Sequence, residues 1–117
     1  MGRFKGQAAE ADACHYLTTQ GLTLLEKNYR RACGEIDLIM QDKDIVVFVE
    51  VRMRQYNYFG SPIESVGRAK QLKLIKTAEL YLQQKKLLYK VNFRFDIIGL
   101  NASNQIEWLR NAFSIPY

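Results

Sequence analysis

Two acidic side chains are notable because each lies within an apolar, strand-like segment. Asp37 belongs to the segment 35–40 (EIDLIM) and Glu50 to the segment 45–52 (IVVFVEVR). The polar residues 41–44 connect these segments, which favours an antiparallel hairpin. With residues 40 and 45 paired, Asp37 faces Phe48, and Glu50 is its diagonal neighbour on the same side of the sheet, roughly 7–8 Å away at the backbone. One bound cation could then contact both carboxylates.

Carboxylates held close together in apolar surroundings repel each other, so a compensating positive charge is expected beside them. A divalent ion, which prefers hard oxygen ligands, is one answer. An ion pair with Arg52, Arg54 or a lysine is a second answer, and a solvated face is a third. The hairpin alone leaves these alternatives open, and a register slip of one residue would separate the two acids.

A third acid, Glu10, lies in an alanine-rich segment that predicts a helix over 7–20, ending at Gly21. On a helical wheel, Glu10 shares one face with four small or apolar residues, whereas Asp12 points elsewhere. Those four residues are Gly6, Ala13, Cys14 and Leu17. Glu10 is therefore either a third acid of the same site or a glutamate at the edge of a short helix.

A second helix is predicted over 65–87, and it carries most of the excess positive charge. The stretch 68–90 contains seven basic residues and one acid, so the rest of the chain has a net charge of −1. The predicted apolar face consists of Leu72, Ile75, Ala78 and Leu82, with Gln71 within it. Lys70, Lys73 and Lys76 form a basic stripe that either follows a phosphate backbone or is simply a solvated face.

An aromatic loop is predicted at 55–62 (QYNYFGSP), between the hairpin and the second helix. Tyr56, Tyr58 and Phe59 could stack on bases if they are exposed. The alternative is that they pack the loop onto the domain.

The whole chain, 1–117, is predicted to be a single domain, because domains cluster at roughly 100–150 residues. Its 48% hydrophobic content is enough for a core, and its net charge of +5 suits anionic partners. No segment approaches the roughly 18 apolar residues of a membrane helix. The polar N-terminus and the two cysteines favour a cytoplasmic protein.

The pattern of predicted elements indicates an α/β fold with a mixed sheet of about five strands. Besides the two helices, it contains strands predicted at 22–29, 35–40, 45–52, 91–99 and 105–110.

Several strings resemble the YraN-like uncharacterised bacterial protein family over almost the whole chain. They are GEIDLIM at 34–40, VFVEVRMR at 47–54, FGSPIESV at 59–66 and RFDIIGL at 94–100, with Asn28 and Arg30 before the hairpin. That family is identified as a member of the restriction-endonuclease-like superfamily, similar to archaeal Holliday-junction resolvases. The resemblance implies a single-domain restriction-endonuclease-like fold.

In that superfamily, an acid of the first helix, an Asp on one strand and an acid-x-Lys on the next strand assemble a magnesium site. The resemblance implies that Glu10, Asp37 and Glu50 bind Mg²⁺ or Mn²⁺. It also implies that Gln71 corresponds to a polar residue of the resolvases. Asp37, Glu50, Gln71 and the residue at position 52 would then be catalytic.

Arg52 departs from this pattern, because it occupies the position of the motif lysine. An arginine remains protonated, so it can stabilise charge on a phosphate but cannot act as a base. In a metal mechanism the ion itself lowers the pKa of the attacking water. Lys70 could supply an ammonium group from the helix.

These observations favour a metal-dependent endonuclease acting on DNA, including branched or structured DNA. The residues expected to bind nucleic acid are Lys70, Lys73, Lys76, Arg54 and Tyr58. The alternative is a non-catalytic nucleic-acid-binding or assembly protein on the same fold, and a third class is a protein-interaction module that uses the aromatic loop. The resolvase relatives act as homodimers, but no segment marks a dimer face, so a monomer stays open.

Overall fold

The computed structural model describes residues 2–53, 66–101, 103 and 105–116. Two helices and five strands follow one another along the chain. They are α1 (Gly2–Thr19), β1 (Thr23–Arg31), β2 (Gly34–Asp42), β3 (Ile45–Met53), α2 (Arg68–Gln84), β4 (Asn92–Leu100) and β5 (Ile106–Phe113). The predicted elements are all present, although α1 begins earlier than residue 7, α2 ends before residue 87 and β5 continues beyond residue 110. The predicted aromatic loop, 55–62, lies outside the described residues.

The five strands form one mixed sheet in the order β1-β2-β3-β4-β5. The β1–β2, β2–β3 and β4–β5 pairs are antiparallel, whereas β3 and β4 are parallel. Antiparallel neighbours can be joined by short turns, but a parallel pair needs a crossover, and α2 is part of that connection. The predicted α/β class with a five-stranded mixed sheet is confirmed.

The β2–β3 hairpin has a shorter turn than the sequence predicted. Asp42 pairs with Ile45, so only Lys43 and Asp44 form the turn, and Lys43 has a φ of +58°. Residues 41 and 42, expected in the loop, are strand residues. As a result Ile39, not Asp37, faces Phe48, which shifts the register by two positions from the predicted one. A shift of two leaves every side chain on its predicted face, because the side-chain period of a strand is two.

The hydrophobic core has two parts, one on each side of the sheet. On one side α2 packs against residues such as Phe48, Phe95 and Ile97. On the other side α1 packs against residues such as Leu38, Val47 and Val49. All residues from Val46 to Glu50 are buried, as is typical of a strand covered by helices on both faces. This places Glu50, which alternates with Phe48, on the α2 side.

The predicted apolar face of α2 is wrong at one position. Leu72 is 41% exposed, whereas Leu74 and Tyr81 are buried together with Ile75, Ala78 and Leu82. Leu72 precedes Ala78 by six positions, and at 3.6 residues per turn this spacing carries it well away from the buried face.

Neither helix combines the length with the apolar character that a membrane-spanning helix requires; this finding covers the described residues.

Candidate acidic site

Asp37 and Glu50 lie close enough for each carboxyl group to affect the pKa of the other. The pairing of β2 with β3 ends at Leu38 and Val49, and Asp37 and Glu50 are the next residues beyond that end. Asp37 accepts a hydrogen bond at 2.8 Å from the backbone N–H of Val51. Glu50 is only 5% exposed, so the pair is held at the edge of the core with little access to water.

Glu10 reaches this pair from the opposite helix. Its neighbours Ala9, Ala13 and Leu17 are buried against the sheet, which fixes the face of α1 that Glu10 shares. The Glu10 carboxyl lies near Asp37, which raises its pKa, and near the side chain of Asn28, which lowers it. The structure therefore brings together the three acids predicted from the sequence, in the order Glu10, Asp37, Glu50.

The three carboxyl groups retain protons more readily than ordinary carboxyls. Burial, followed by repulsion from Asp37, raises the pKa of Glu10 to about 7. Burial and the same repulsion raise the pKa of Glu50 to about 7, against the opposing effect of Lys70 and Arg52. Burial also raises the pKa of Asp37, although the Val51 N–H favours its ionised form. Near neutral pH the cluster is therefore partly protonated, which reduces its negative charge.

Two cations contact Glu50 directly. Arg52 Nε lies 3.3 Å from Glu50 Oε2, and Lys70 Nζ lies 3.6 Å from the same oxygen. Within the described part of the chain, the buried Arg52 Nε has no hydrogen-bond partner in good geometry. These ion pairs are the alternative that the hairpin pattern left open. They do not fully compensate the acids, because the pKa of Glu50 stays above its ordinary value in their presence.

The donor chemistry of the cluster suits a hard divalent ion, since three carboxylates offer oxygen ligands alone. In the described ranges, no group of three or more His, Cys, Asp or Glu side chains is arranged to hold a metal ion. Binding an ion would require the three side chains to rearrange around it and to release the protons they hold.

Gln71 is half-buried near the start of α2, and its side chain is already engaged. Its Nε2 donates a hydrogen bond at 2.9 Å to the carbonyl oxygen of Val66. Its backbone N–H donates to the carbonyl oxygen of Gly67, which is the N-cap residue of α2. These bonds give Gln71 a structural task at the beginning of the helix.

The predicted basic stripe extends from the acids along α2. Lys70 contacts Glu50, while Lys73 and Lys76 are exposed. Two further residues predicted to bind nucleic acid, Arg54 and Tyr58, lie outside the described residues.

Two residues beside the acids were not assigned a role from the sequence. Lys27 pairs with Leu38 and Tyr29 with Ile36, so Asn28 lies opposite Asp37, with a φ of +52°. Asparagine tolerates this left-handed conformation better than most residues, and an Asn inside a strand-like segment is the signal that could have identified it. Glu35 pairs with Arg30 at 2.8 Å, and its charge raises the pKa of both Glu10 and Asp37.

A separate polar cluster surrounds Asp96, which is 1% exposed. Asp96 accepts hydrogen bonds from Arg94 Nε at 3.0 Å, from Trp108 Nε1 at 2.9 Å and from the Asn111 backbone at 2.9 Å. Its acceptors are therefore well satisfied, and its role is to anchor β5 to β4 beside the irregular pairing of these strands.

These features define a small α/β protein with a cluster of three carboxyls from α1, β2 and β3, beside the basic residues of α2. The chain belongs to the uncharacterised protein family UPF0102, whose family model matches residues 9–100. The predicted membership of the YraN-like family is thereby confirmed.

Curated relatives match nearly the full length of the chain. A UPF0102 protein of Coxiella burnetii (strain RSA 331 / Henzerling II) is 49% identical over 112 residues, covering 96% of this chain and 93% of the relative. One of Nitrosomonas europaea is 51% identical over 109 residues, covering 93% and 92%. One of Vibrio parahaemolyticus is 44% identical over 119 residues, covering 97% and 98%.

Proposed function

We propose that this protein is a metal-dependent endonuclease that hydrolyses phosphodiester bonds in DNA, including branched or structured DNA. The observation that carries the proposal is the meeting of Glu10, Asp37 and Glu50 from three separate elements. Their pKa values stay raised although two cations contact Glu50. Such a cluster is costly to fold unless a further cation or protons offset its charge, and costly charge clusters are concentrated at functional sites.

The three carboxylates are the proposed ligands of Mg²⁺ or Mn²⁺. A bound divalent ion would lower the pKa of a water molecule and would stabilise negative charge at the scissile phosphate. The chain itself holds the ligands in place. The Val51 N–H orients Asp37, the Asn28 side chain lies near Glu10 and lowers its pKa, and the β2–β3 hairpin brings Asp37 beside Glu50.

Arg52 and Lys70 are the proposed electrophilic groups. Both lie within 4 Å of the Glu50 carboxylate, so a phosphate oxygen at the acids would also lie near them. Arg52 occupies the position of the superfamily lysine, and it can stabilise developing negative charge but cannot accept a proton. The Arg52 side chain is 30% exposed, so part of it can be reached from solvent although its Nε is buried beside Glu50. Gln71 is proposed to maintain the start of α2, and thereby the position of Lys70.

The proposed DNA-binding surface follows α2. Lys73 and Lys76 are exposed, and Lys70 lies between them and the acids. A DNA backbone bound along these lysines would therefore reach the acidic cluster. Arg54 and Tyr58 are proposed to add contacts from the neighbouring segment. A homodimer, as in the resolvases that the sequence resembles, would permit cleavage of both strands. A cytoplasmic location in bacteria belongs to the same proposal.

The test is a nuclease assay with linear duplex, single-stranded and four-way-junction DNA, in Mg²⁺, Mn²⁺ or EDTA. We expect metal-dependent cleavage that Asp37→Asn and Glu50→Gln both abolish. Asp44→Asn is the matched control, because Asp44 is exposed in the β2–β3 turn at the far end of the same hairpin. Cleavage that survives both site substitutions would overturn the assignment of the site.

One observation favours a second candidate, a nucleic-acid-binding protein without catalysis. Glu50 is already ion-paired with Arg52 and Lys70, and the motif lysine is replaced. That function predicts no cleavage under any of these conditions, with salt-dependent DNA binding that Lys70→Glu and Lys73→Glu abolish.

A further inference from the structure

The tip of the β1–β2 hairpin packs against the middle of α2. Cys33 Sγ lies 3.4 Å from Thr77 Oγ1. A Cβ atom added to Gly34 would lie 2.8 Å from the same oxygen and 3.6 Å from the Cβ of Lys73. The hairpin tip therefore has a fixed position beside the basic row of the helix.

This contact brings an arginine of the hairpin next to the lysines of α2. Arg31 pairs with Gly34 in the β1–β2 register, and Gly34 adjoins Lys73. Arg31 is exposed, so it adds a positive charge at the hairpin tip that is docked beside Lys73.

The guanidinium of Arg31 is held in place by its neighbours. Its carbon atom lies 4.2 Å from the centroid of the Tyr29 ring, and one of its nitrogens donates a hydrogen bond at 2.7 Å to the Arg30 carbonyl. Tyr29 is itself buried, packs edge-on against Tyr81 and donates a hydrogen bond to Gln84. A guanidinium fixed in this way loses little freedom when it binds a ligand, and its fork of N–H donors matches the oxygens of a phosphate.

We infer that Arg31 is a phosphate-binding residue, which together with Lys73 and Lys76 forms one surface for the backbone of double-stranded nucleic acid. We call this the hairpin–helix surface, and the choice of DNA as its ligand rests on the proposed function. Successive lysines on α2 advance by about 4.5 Å along the helix axis. Arg31 adds a contact beside that row, so the surface has width as well as length and suits a duplex more than a single strand.

The test is the salt dependence of duplex binding in EDTA, which prevents metal-dependent cleavage. Fluorescence anisotropy of a labelled duplex is followed at increasing KCl concentration for the full chain and for Arg31→Gln. Loss of one phosphate contact should reduce the slope of log K against log salt by about 0.9 and weaken binding several-fold at low salt. Arg31→Lys should retain the slope, because the charge remains, but bind more weakly than the unaltered chain.

Arg110→Gln is the matched control. Arg110 is also exposed and lies over an aromatic ring, 3.9 Å from the centroid of Trp108, but it belongs to β5 at the opposite edge of the sheet. It should leave the slope unchanged. An unchanged slope for Arg31→Gln, an equal loss for Arg110→Gln, or no duplex binding by the unaltered protein would each overturn the inference.

The outcomes separate this inference from the proposed nuclease activity. A reduced slope for Arg31→Gln in a protein that never cleaves DNA would support the hairpin–helix surface and contradict the nuclease. Metal-dependent cleavage with an unchanged slope would support the nuclease and contradict the role of Arg31. Thermal melting of each variant checks that the fold is retained.

Discussion

The carboxyl groups of Asp37 and Glu50 lie beside each other just beyond the paired part of β2 and β3, and Glu50 is only 5% exposed. An ion pair with Arg52 or Lys70 does not return the pKa of Glu50 to its ordinary range. The acids therefore oppose folding once they ionise, and this effect has measurable consequences.

The first consequence concerns the pH dependence of the metal-free protein. The pKa of Glu50 is about 7 in the folded protein and 4.5 in a model peptide, so the folded state binds more protons between these values. The contribution of Glu50 to stability is thus fully present below about pH 4.5 and is lost as the pH rises through about 7. In EDTA, Glu50→Gln should raise the Tm at pH 8 by about 3–6 °C and leave it little changed at pH 4.5. A variant that is less stable than the unaltered chain at pH 8 would contradict the raised pKa.

The second prediction concerns Asn28, which contacts Glu10 and has a φ of +52°. Asn28→Gly keeps the backbone conformation but removes the side chain, so it should weaken Mn²⁺ binding with little loss of stability. Asn28→Ala should weaken Mn²⁺ binding equally and also lower the free energy of unfolding by about 1–2 kcal/mol, because alanine is strained at this φ. Calorimetric metal titration and urea unfolding measure the two effects separately. Equal Mn²⁺ affinity in Asn28→Gly and the unaltered chain would show that Asn28 does not position Glu10.

The third prediction concerns Arg52. A lysine can act in proton transfer, which an arginine cannot, so under the proposed nuclease function Arg52→Lys should increase the single-turnover rate of DNA cleavage. Arg52→Gln is the comparison, and it should lower the rate because it removes the charge beside Glu50. If all three proteins cleave at one rate, Arg52 takes no part in the reaction.

The fourth prediction tests the packing that fixes the hairpin–helix surface. Gly34→Ala would place a methyl group 2.8 Å from Thr77 Oγ1, so we expect a loss of about 1–3 kcal/mol in the free energy of unfolding. In the background of Thr77→Ala, which removes that oxygen, the same substitution should cost clearly less. Identical costs in the two backgrounds would indicate that strain in the Gly34 backbone, and not contact with Thr77, is responsible.

The sequence predicts much of this arrangement, because strands repeat with a period of two. The predicted register places Asp37 and Glu50 on one face, and the observed register differs from it by two positions where the strands pair, so the two acids still come together. The predicted turn was two residues too long on its β2 side. The observed turn places Lys43 at a positive φ, which a lysine does not favour and which the sequence therefore does not indicate.

Other features depend on tertiary contacts that no local pattern contains. The left-handed Asn28 beside Glu10 and the docking of Gly34 onto Thr77 each join residues that are distant in the sequence. The exposed Leu72 could have been predicted, because helical geometry alone separates it from Ala78. The cluster of Asp96 with Trp108 also depends on strand pairing, here between β4 and β5.

The account depends most directly on whether the three carboxyls bind a divalent cation. Titration of Mn²⁺ at pH 8, followed by the EPR signal of free Mn²⁺, measures this in the full chain and in Asp37→Asn. We predict one site per chain at pH 8, where the carboxyls are largely ionised. The affinity should fall, and protons should be released on binding, when the titration is repeated below about pH 7. Asp37→Asn should abolish the site, whereas Asp44→Asn should leave it intact. Absence of binding by the unaltered protein, or equal binding by Asp37→Asn, would contradict the account.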